Sequence, residues 1–247
     1  EKKRLSKRTR VSLFLLLVAI PLTIAAGFWL TDQSALADWI DRVFGPRKYY
    51  LISLVIVLYA LLPFFMAFEG RKPEVRELVV LATMIALATA GRAAFFMTPS
   101  FKPIIAIVII SAIAFGAEAG FLVGSMTMLV SNFLFGQGPW TPWQMFAMGF
   151  IGFLSGILYR LRILPTKRLQ LSVYGFLVTF MIYGGIMNPA ALFMSVYQFS
   201  WSGLLAIYIS GVPVDLVHAS STFLFLWIGA KPLLEKLQRI KVKYGLL

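Results

Sequence analysis

The sequence predicts an all-α, polytopic membrane protein, and three observations carry that prediction. Hydrophobic residues make up 60% of the 247-residue chain and charged residues only 13%, too few to clothe a soluble surface of this size. Mean hydropathy is +0.84, and several stretches hold about 18 or more mostly apolar residues, the length at which a helix spans about 30 Å of hydrocarbon. Lysine and arginine, finally, gather in every second connection between those stretches.

Eight helices follow from the apolar pattern. Residues 11–30 form the first and 48–68 the second, and the charged run Glu69-Gly70-Arg71-Lys72-Pro73-Glu74-Val75-Arg76 separates it from the third. The third covers 77–97, with Arg92 interrupting it late. The fourth, 103–116, enters through Pro103, since proline is tolerated in a first turn; its shortness points to a tilted or re-entrant piece. The fifth, sixth and seventh cover 119–135, 143–160 and 170–188. After Asn188-Pro189, either one long kinked helix covers 202–230 or a short element at 201–211 precedes a helix that starts at Pro213. The second arrangement is preferred, because it puts Asp215 in a first turn, where the helix dipole favours an anion.

Charge placement sets the expected topology. With the N-terminus in the cytoplasm, six Lys/Arg fall in residues 1–10, three in loop 69–76, four in loop 160–168 and five in the tail from Lys231 to Lys243. That puts 18 of the 23 on one side, the positive-inside pattern of an even number of spans, with both termini cytoplasmic. Asp32, Asp38 and Asp41 fall in the first outer loop. Topology and anionic lipid account for the net charge of +13, so nucleic-acid binding is not expected. Residues 1–30 have the basic head and apolar run of a secretory signal, and Ala35-Leu36-Ala37 resembles a cleavage site. The run of about 20 residues is longer than the 7–15 of a signal, so an uncleaved span is expected.

Four groups of residues stand out. Gly211-Val212-Pro213-Val214-Asp215-Leu216-Val217-His218 places a carboxylate and the single histidine three residues apart, on one helical face. Ionisable groups at membrane depth face a polar cavity, a partner or a substrate. Ala82, Ala86 and Ala90, followed by Ala94, form a flat stripe that another helix can approach closely, either within this chain or on a second membrane protein. Gly116, Gly120 and Gly124, then Gly149, Gly152 and Gly156, form similar stripes. The turn from Asn132 to Gln144 sets the amides of Asn132, Gln137 and Gln144 beside Trp140 and Trp143. Amides beside indole planes suit a bulky ligand with an apolar body and a polar rim, although tryptophans at this depth also form interfacial belts.

Other chemistries lack their residues. No phosphate-binding glycine loop or nucleotide motif is present, so ATP hydrolysis is not expected on this chain. Without cysteine there is no disulfide, thiolate metal site or redox thiol. Asp215 and His218 have no further metal ligands nearby in sequence. No Ser or Cys nucleophile sits in a recognisable motif. Glu118 falls at a cytoplasmic hairpin and is kept out of the site.

Residues 75–230, through the alanine stripe, the glycine-rich helices, the Gly136–Gln144 turn and Pro213-Val214-Asp215-Leu216-Val217-His218-Ala219, resemble the substrate-binding S component of energy-coupling factor (ECF) vitamin transporters. Among these, the chain looks most like the cobalamin-specific type. The resemblance implies a six-helix bundle at 71–247, here preceded by a two-helix extension at 1–70, in a multi-pass plasma-membrane protein without ATPase activity or cofactor of its own. It implies as partners a transmembrane coupling protein (the T component), met in that family by the alanine stripe (here Ala82, Ala86 and Ala90), and two cytoplasmic ATPase subunits. Asn132, Gln137 and Gln144 are then expected to meet cobalamin's amides, Trp140 and Trp143 its flat ring, and Lys102 or Arg92 its phosphodiester. Phe101, Asp215 and His218 complete the expected site, and Trp201 and Tyr208 of 201–211 form a lid. Riboflavin, pantothenate, folate or a queuosine precursor are alternative cargoes. A membrane enzyme using Asp215 and His218, and a channel or scaffold, are the remaining readings.

Overall fold

A computed structural model describes Phe14 and residues 48–70, 74–195 and 200–245. Apart from Phe14, the predicted helix 11–30, the basic head, the first outer loop and the Ala35-Leu36-Ala37 site lie outside the described residues.

Seven helices run through the described residues. They are α1 Lys48–Glu69, α2 Val75–Ala94, α3 Ile104–Phe115, α4 Ala117–Phe135, α5 Thr141–Arg160, α6 Arg168–Ser195 and α7 Trp201–Tyr244. Five of them, α2 and α4 to α7, are long and apolar enough to cross a membrane. Together with the composition, they make this a multi-pass membrane protein.

Helix α3 has no polar face, and all twelve of its residues are buried, as expected of a helix that is apolar all round. It stops at Gly116, whose φ of 96° is open to glycine alone without strain, and α4 starts at the next residue. Gly136, at φ 105°, ends α4 in the same way. Pro142 lies in the first turn of α5.

The closest packing is between α4 and α5. A Cβ at Gly120 would fall 2.8 Å from the Gly152 carbonyl oxygen, one at Gly124 would fall 2.6 Å from the Met148 carbonyl carbon, and one at Gly156 would fall 2.5 Å from the Ala117 Cα. In a bilayer, where lipid tails are as apolar as leucine, this close backbone approach is what holds helices together. Helix α1 lies on the α4–α5 pair. Its buried face carries Leu61, Phe64 and Phe68, and Phe64 stacks on Phe121 at 4.1 Å and meets Phe153 edge-on at 4.9 Å.

Two expectations are corrected here. The seventh predicted helix does not stop at Asn188; α6 continues through Pro189 to Ser195, with a π-helical turn at Thr179–Tyr183. The preferred break before Pro213 is also absent, since α7 is continuous from Trp201 and contains both Pro213 and Pro232. Asp215 therefore sits well inside a helix and not in its first turn, and 201–211 is no separate lid. An internal proline costs about 3 kcal/mol by removing a backbone bond and crowding a carbonyl. Antiparallel contact along α6 and α7 offsets that cost, as Leu192 lies against Gly203, Asn188 against Gly211, Gly184 against Asp215, and Gly175 against Leu226. Thr179 also donates to Thr222 at 3.0 Å. At Pro189 the freed acceptor is the Gly185 carbonyl, and the Tyr208 hydroxyl donates to it at 2.9 Å.

Helix α7 spans about 66 Å and α3 about 18 Å at 1.5 Å per residue. Ser221 Oγ donates to the Lys102 carbonyl at the start of α3, and Lys241 Nζ to the Ala114 carbonyl at its end. Between those anchors α7 flanks α3. Beyond Ser221, towards Trp201, α6 and α7 continue without α3.

Candidate functional site

A chain of polar side chains runs across the bundle where α3 begins. Arg92, in the last turn of α2, donates through Nη1 to Ser131 Oγ at 2.5 Å and to Asn132 Oδ1 at 2.6 Å. Asn132 is completely buried, and its Nδ2 donates to Thr141 Oγ1 and Gln144 Oε1, both at 2.9 Å. The Tyr183 hydroxyl lies beside the Gln144 side chain. Tyr183 meets the His218 ring edge-on at 5.0 Å. One turn past His218, Ser221 binds the Lys102 carbonyl, and Lys102 Nζ donates to the Phe95 and Thr98 carbonyls at 2.9 and 2.8 Å. This arc joins α2, α4, α5, α6, α7 and the α2–α3 loop. All five spanning helices among the described residues contribute to it.

Local structure explains how each group reaches the arc. The π turn Thr179–Tyr183 adds a residue to one turn of α6, which re-aims Tyr183 relative to the residues before it. In the α2–α3 loop, Ser100 takes a positive φ of 59° and helps to turn the chain back so that Lys102 caps the end of α2. Desolvation, and then the charge of nearby Arg92, hold the Lys102 ammonium below its usual pKa.

Of the residues the sequence singled out, Arg92, Asn132, Gln144, Lys102 and His218 meet in the arc. Asp215 faces α6 as well, but its partner is Asn188 Nδ2 at 2.8 Å, so it and His218 bind different neighbours. Gln137 is exposed and folds back on its own turn, donating to the Leu129 carbonyl and accepting from Thr141. Trp140, 39% exposed, lies over Gly138. Trp143 is buried with Val57 and Ala190 and stacks on Phe193 at 6.4 Å. Neither indole borders the arc through any described contact, and the Trp143 Nε1–H has no described partner. Phe101 belongs to an aromatic cluster with Phe95 and Phe225.

Sequence reasoning missed Ser131, Thr141, Tyr183 and Asn188. Tyr183 carried one available signal, a polar aromatic inside an otherwise apolar span. Nothing in the local sequence announced that a π turn would aim it.

The alanine stripe lies elsewhere. Ala82, Ala86 and Ala90 are all exposed, while Leu81, Met84 and Ala88 on the opposite side of α2 are buried.

Residues 72–239, which include the whole of this arrangement but not α1, match the family described as the ECF-type riboflavin transporter, S component. This chain belongs to that family. The S-component resemblance thus holds at the family level, and the family is named for riboflavin rather than cobalamin. It is a family of substrate-binding transporter subunits, not of catalysts. No curated protein and no solved structure matches the chain.

Proposed function

We propose that this S component captures riboflavin at the arc running from Arg92 to His218 and delivers it for ATP-driven import. The carrying observation is the convergence of five spanning helices on one set of amide, phenol, imidazole and cationic groups, in a family named for riboflavin. A flat heterocycle with a polar imide edge requires donors and acceptors on one side and apolar faces around its body. Gln144, Tyr183 and His218 supply the first, and the Phe95–Phe101–Phe225 cluster supplies the second. Titrating detergent-solubilised protein with riboflavin while following flavin fluorescence is the test. Saturable quenching at one site per chain supports riboflavin. Cobalamin is the second reading, favoured by the cations Arg92 and Lys102, which suit its phosphodiester. Absence of quenching alongside tight cobalamin binding would move the assignment there.

The same reading assigns the partners and the orientation. The exposed Ala82, Ala86 and Ala90 dock a transmembrane coupling protein, which in turn binds two cytoplasmic ATPases. The α2–α3 and α4–α5 connections face outward and both termini face the cytoplasm, as the Lys/Arg distribution supports. Because the chain has no cysteine, Pro139→Cys and Glu69→Cys are clean single labels. An impermeant thiol reagent should reach the first in intact cells and the second only after permeabilisation; the reverse result rejects this orientation.

A further inference from the structure

We propose that α1 is a positioning element of the cargo site, acting through Val57 on Trp143 of α5. Helix α1 lies outside the residues matched to the family, and its link to the arc runs through the backs of α5 and α6. The proposal rests on the cargo-binding reading above and gives Trp143 a role behind the site rather than in it.

The buried face of α1 has two ends with different neighbours. Val57, Leu61, Phe64 and Phe68 are buried along it, at the spacing of a single helical stripe. Phe64 meets Phe121 of α4 and Phe153 of α5 in the main core. Val57 instead belongs to a separate small cluster with Trp143 of α5 and Ala190 of α6. Ile186, Met187 and Phe193 pack against that cluster.

This cluster sits directly behind two members of the arc. Gln144 follows Trp143, and successive residues of a helix point about 100° apart. The seat of Trp143 therefore sets the angle at which Gln144 leaves α5. Ile186 and Met187 lie about one turn after Tyr183, on the same face of α6. Their seat in turn sets where the Tyr183 phenol stands. One apolar contact shared by α1, α5 and α6 thus holds Gln144 and Tyr183 side by side.

Two features make this stretch of α5 depend on that contact. Trp143 is in the first turn of the helix, and Trp140 before it makes no side-chain cap. An uncapped helix end relies on tertiary contacts to keep from fraying. The buried Trp143 Nε1–H finds no partner among the described residues, so packing and not hydrogen bonding holds the indole. Close-packed interiors transmit the loss of even a methyl group.

The test compares two buried positions on α1 in the full-length, detergent-solubilised protein, with riboflavin as the probe and cobalamin in its place if riboflavin does not bind. Val57→Ala should weaken cargo affinity about three- to tenfold in protein that stays monodisperse, as expected of residues in contact. Phe64→Leu, in the main core, should lower the thermal midpoint at least as much and leave affinity within about twofold. Trp143→Phe keeps the apolar contact and should retain affinity. Trp143→Ala should lose at least as much as Val57→Ala, and combining those two should cost little more than Trp143→Ala alone. Should Trp143→Ala fail to fold, the Val57 and Phe64 variants decide. Affinity unchanged in Val57→Ala, or weakened equally in Phe64→Leu, overturns the positioning role and leaves cargo capture standing. A loss in Trp143→Phe equal to that in Trp143→Ala puts the indole N–H on the cargo and overturns it as well. Folded wild-type protein that binds neither vitamin overturns the positioning role together with the cargo-site reading.

Discussion

Two stripes of small residues look alike in this chain and have opposite fates. Gly120, Gly124, Gly149, Gly152 and Gly156 are consumed inside the molecule, where α4 and α5 approach until a Cβ would strike backbone or, at Gly149, the Ser125 and Phe121 side chains. Ala82, Ala86 and Ala90 on α2 touch no neighbour closely enough to be covered. The difference is one of atoms. Glycine lets two backbones touch, whereas a row of alanine methyls presents a smooth shallow face that a partner can slide against or leave. One stripe builds the fold, and the other remains available for assembly.

Substitutions can break or sharpen that contrast. The largest effect is expected at Gly152→Leu, whose side chain has only the Gly120 backbone and Val108 to enter. Folded protein should not be recovered, as read by size-exclusion chromatography in detergent; a monodisperse peak of normal yield would refute the close crossing. Gly124→Ala adds one methyl at the same interface and should cost about 1–3 kcal/mol, the usual penalty of overpacking, visible as a lower midpoint of thermal unfolding.

A comparable loss is expected at the site itself. Asn132→Leu removes the amide that joins Arg92 to Thr141 and Gln144, and leaving such buried groups unpaired costs about 1–3 kcal/mol. Vitamin affinity should fall with it. If stability dropped while affinity held, Asn132 would be a packing residue and not a positioning one.

The smallest effect on stability, and the most telling one, belongs to Ala86→Leu. An exposed substitution of this kind should shift stability by no more than about 0.5 kcal/mol and leave vitamin binding intact. Co-purification with the coupling protein, and uptake in cells, should be lost. Normal uptake in that variant would return the alanine stripe to lipid and end its proposed role.

Much of the helical layout is legible in the sequence. The apolar runs locate α1 to α5 to within a few residues because desolvating a backbone in lipid forces every polar group into a local helix. Arg92, Asn132, Gln144, Lys102 and His218 were legible for a related reason, since polar groups in an apolar span need partners and usually find each other. Trp140, Trp143 and Gln137 were misjudged because adjacency in a turn says nothing about which way each side chain turns. Trp143 sits next to Gln144 in sequence, yet it packs against α1 and α6.

What the sequence determined by itself, then, is the membrane class, the number and order of most helices, and the polar character of the arc. All three follow from local terms: apolar length, charge placement, and the cost of burying polar groups. Only the tertiary structure decided that α7 passes unbroken through Pro213, that a π turn carries Tyr183 to Gln144 and His218, and which stripe of small residues is covered. Those outcomes depend on contacts summed along two long antiparallel helices, α6 and α7, and between α4 and α5. A proline's local penalty of about 3 kcal/mol is smaller than such a sum, and no window of neighbouring residues contains it.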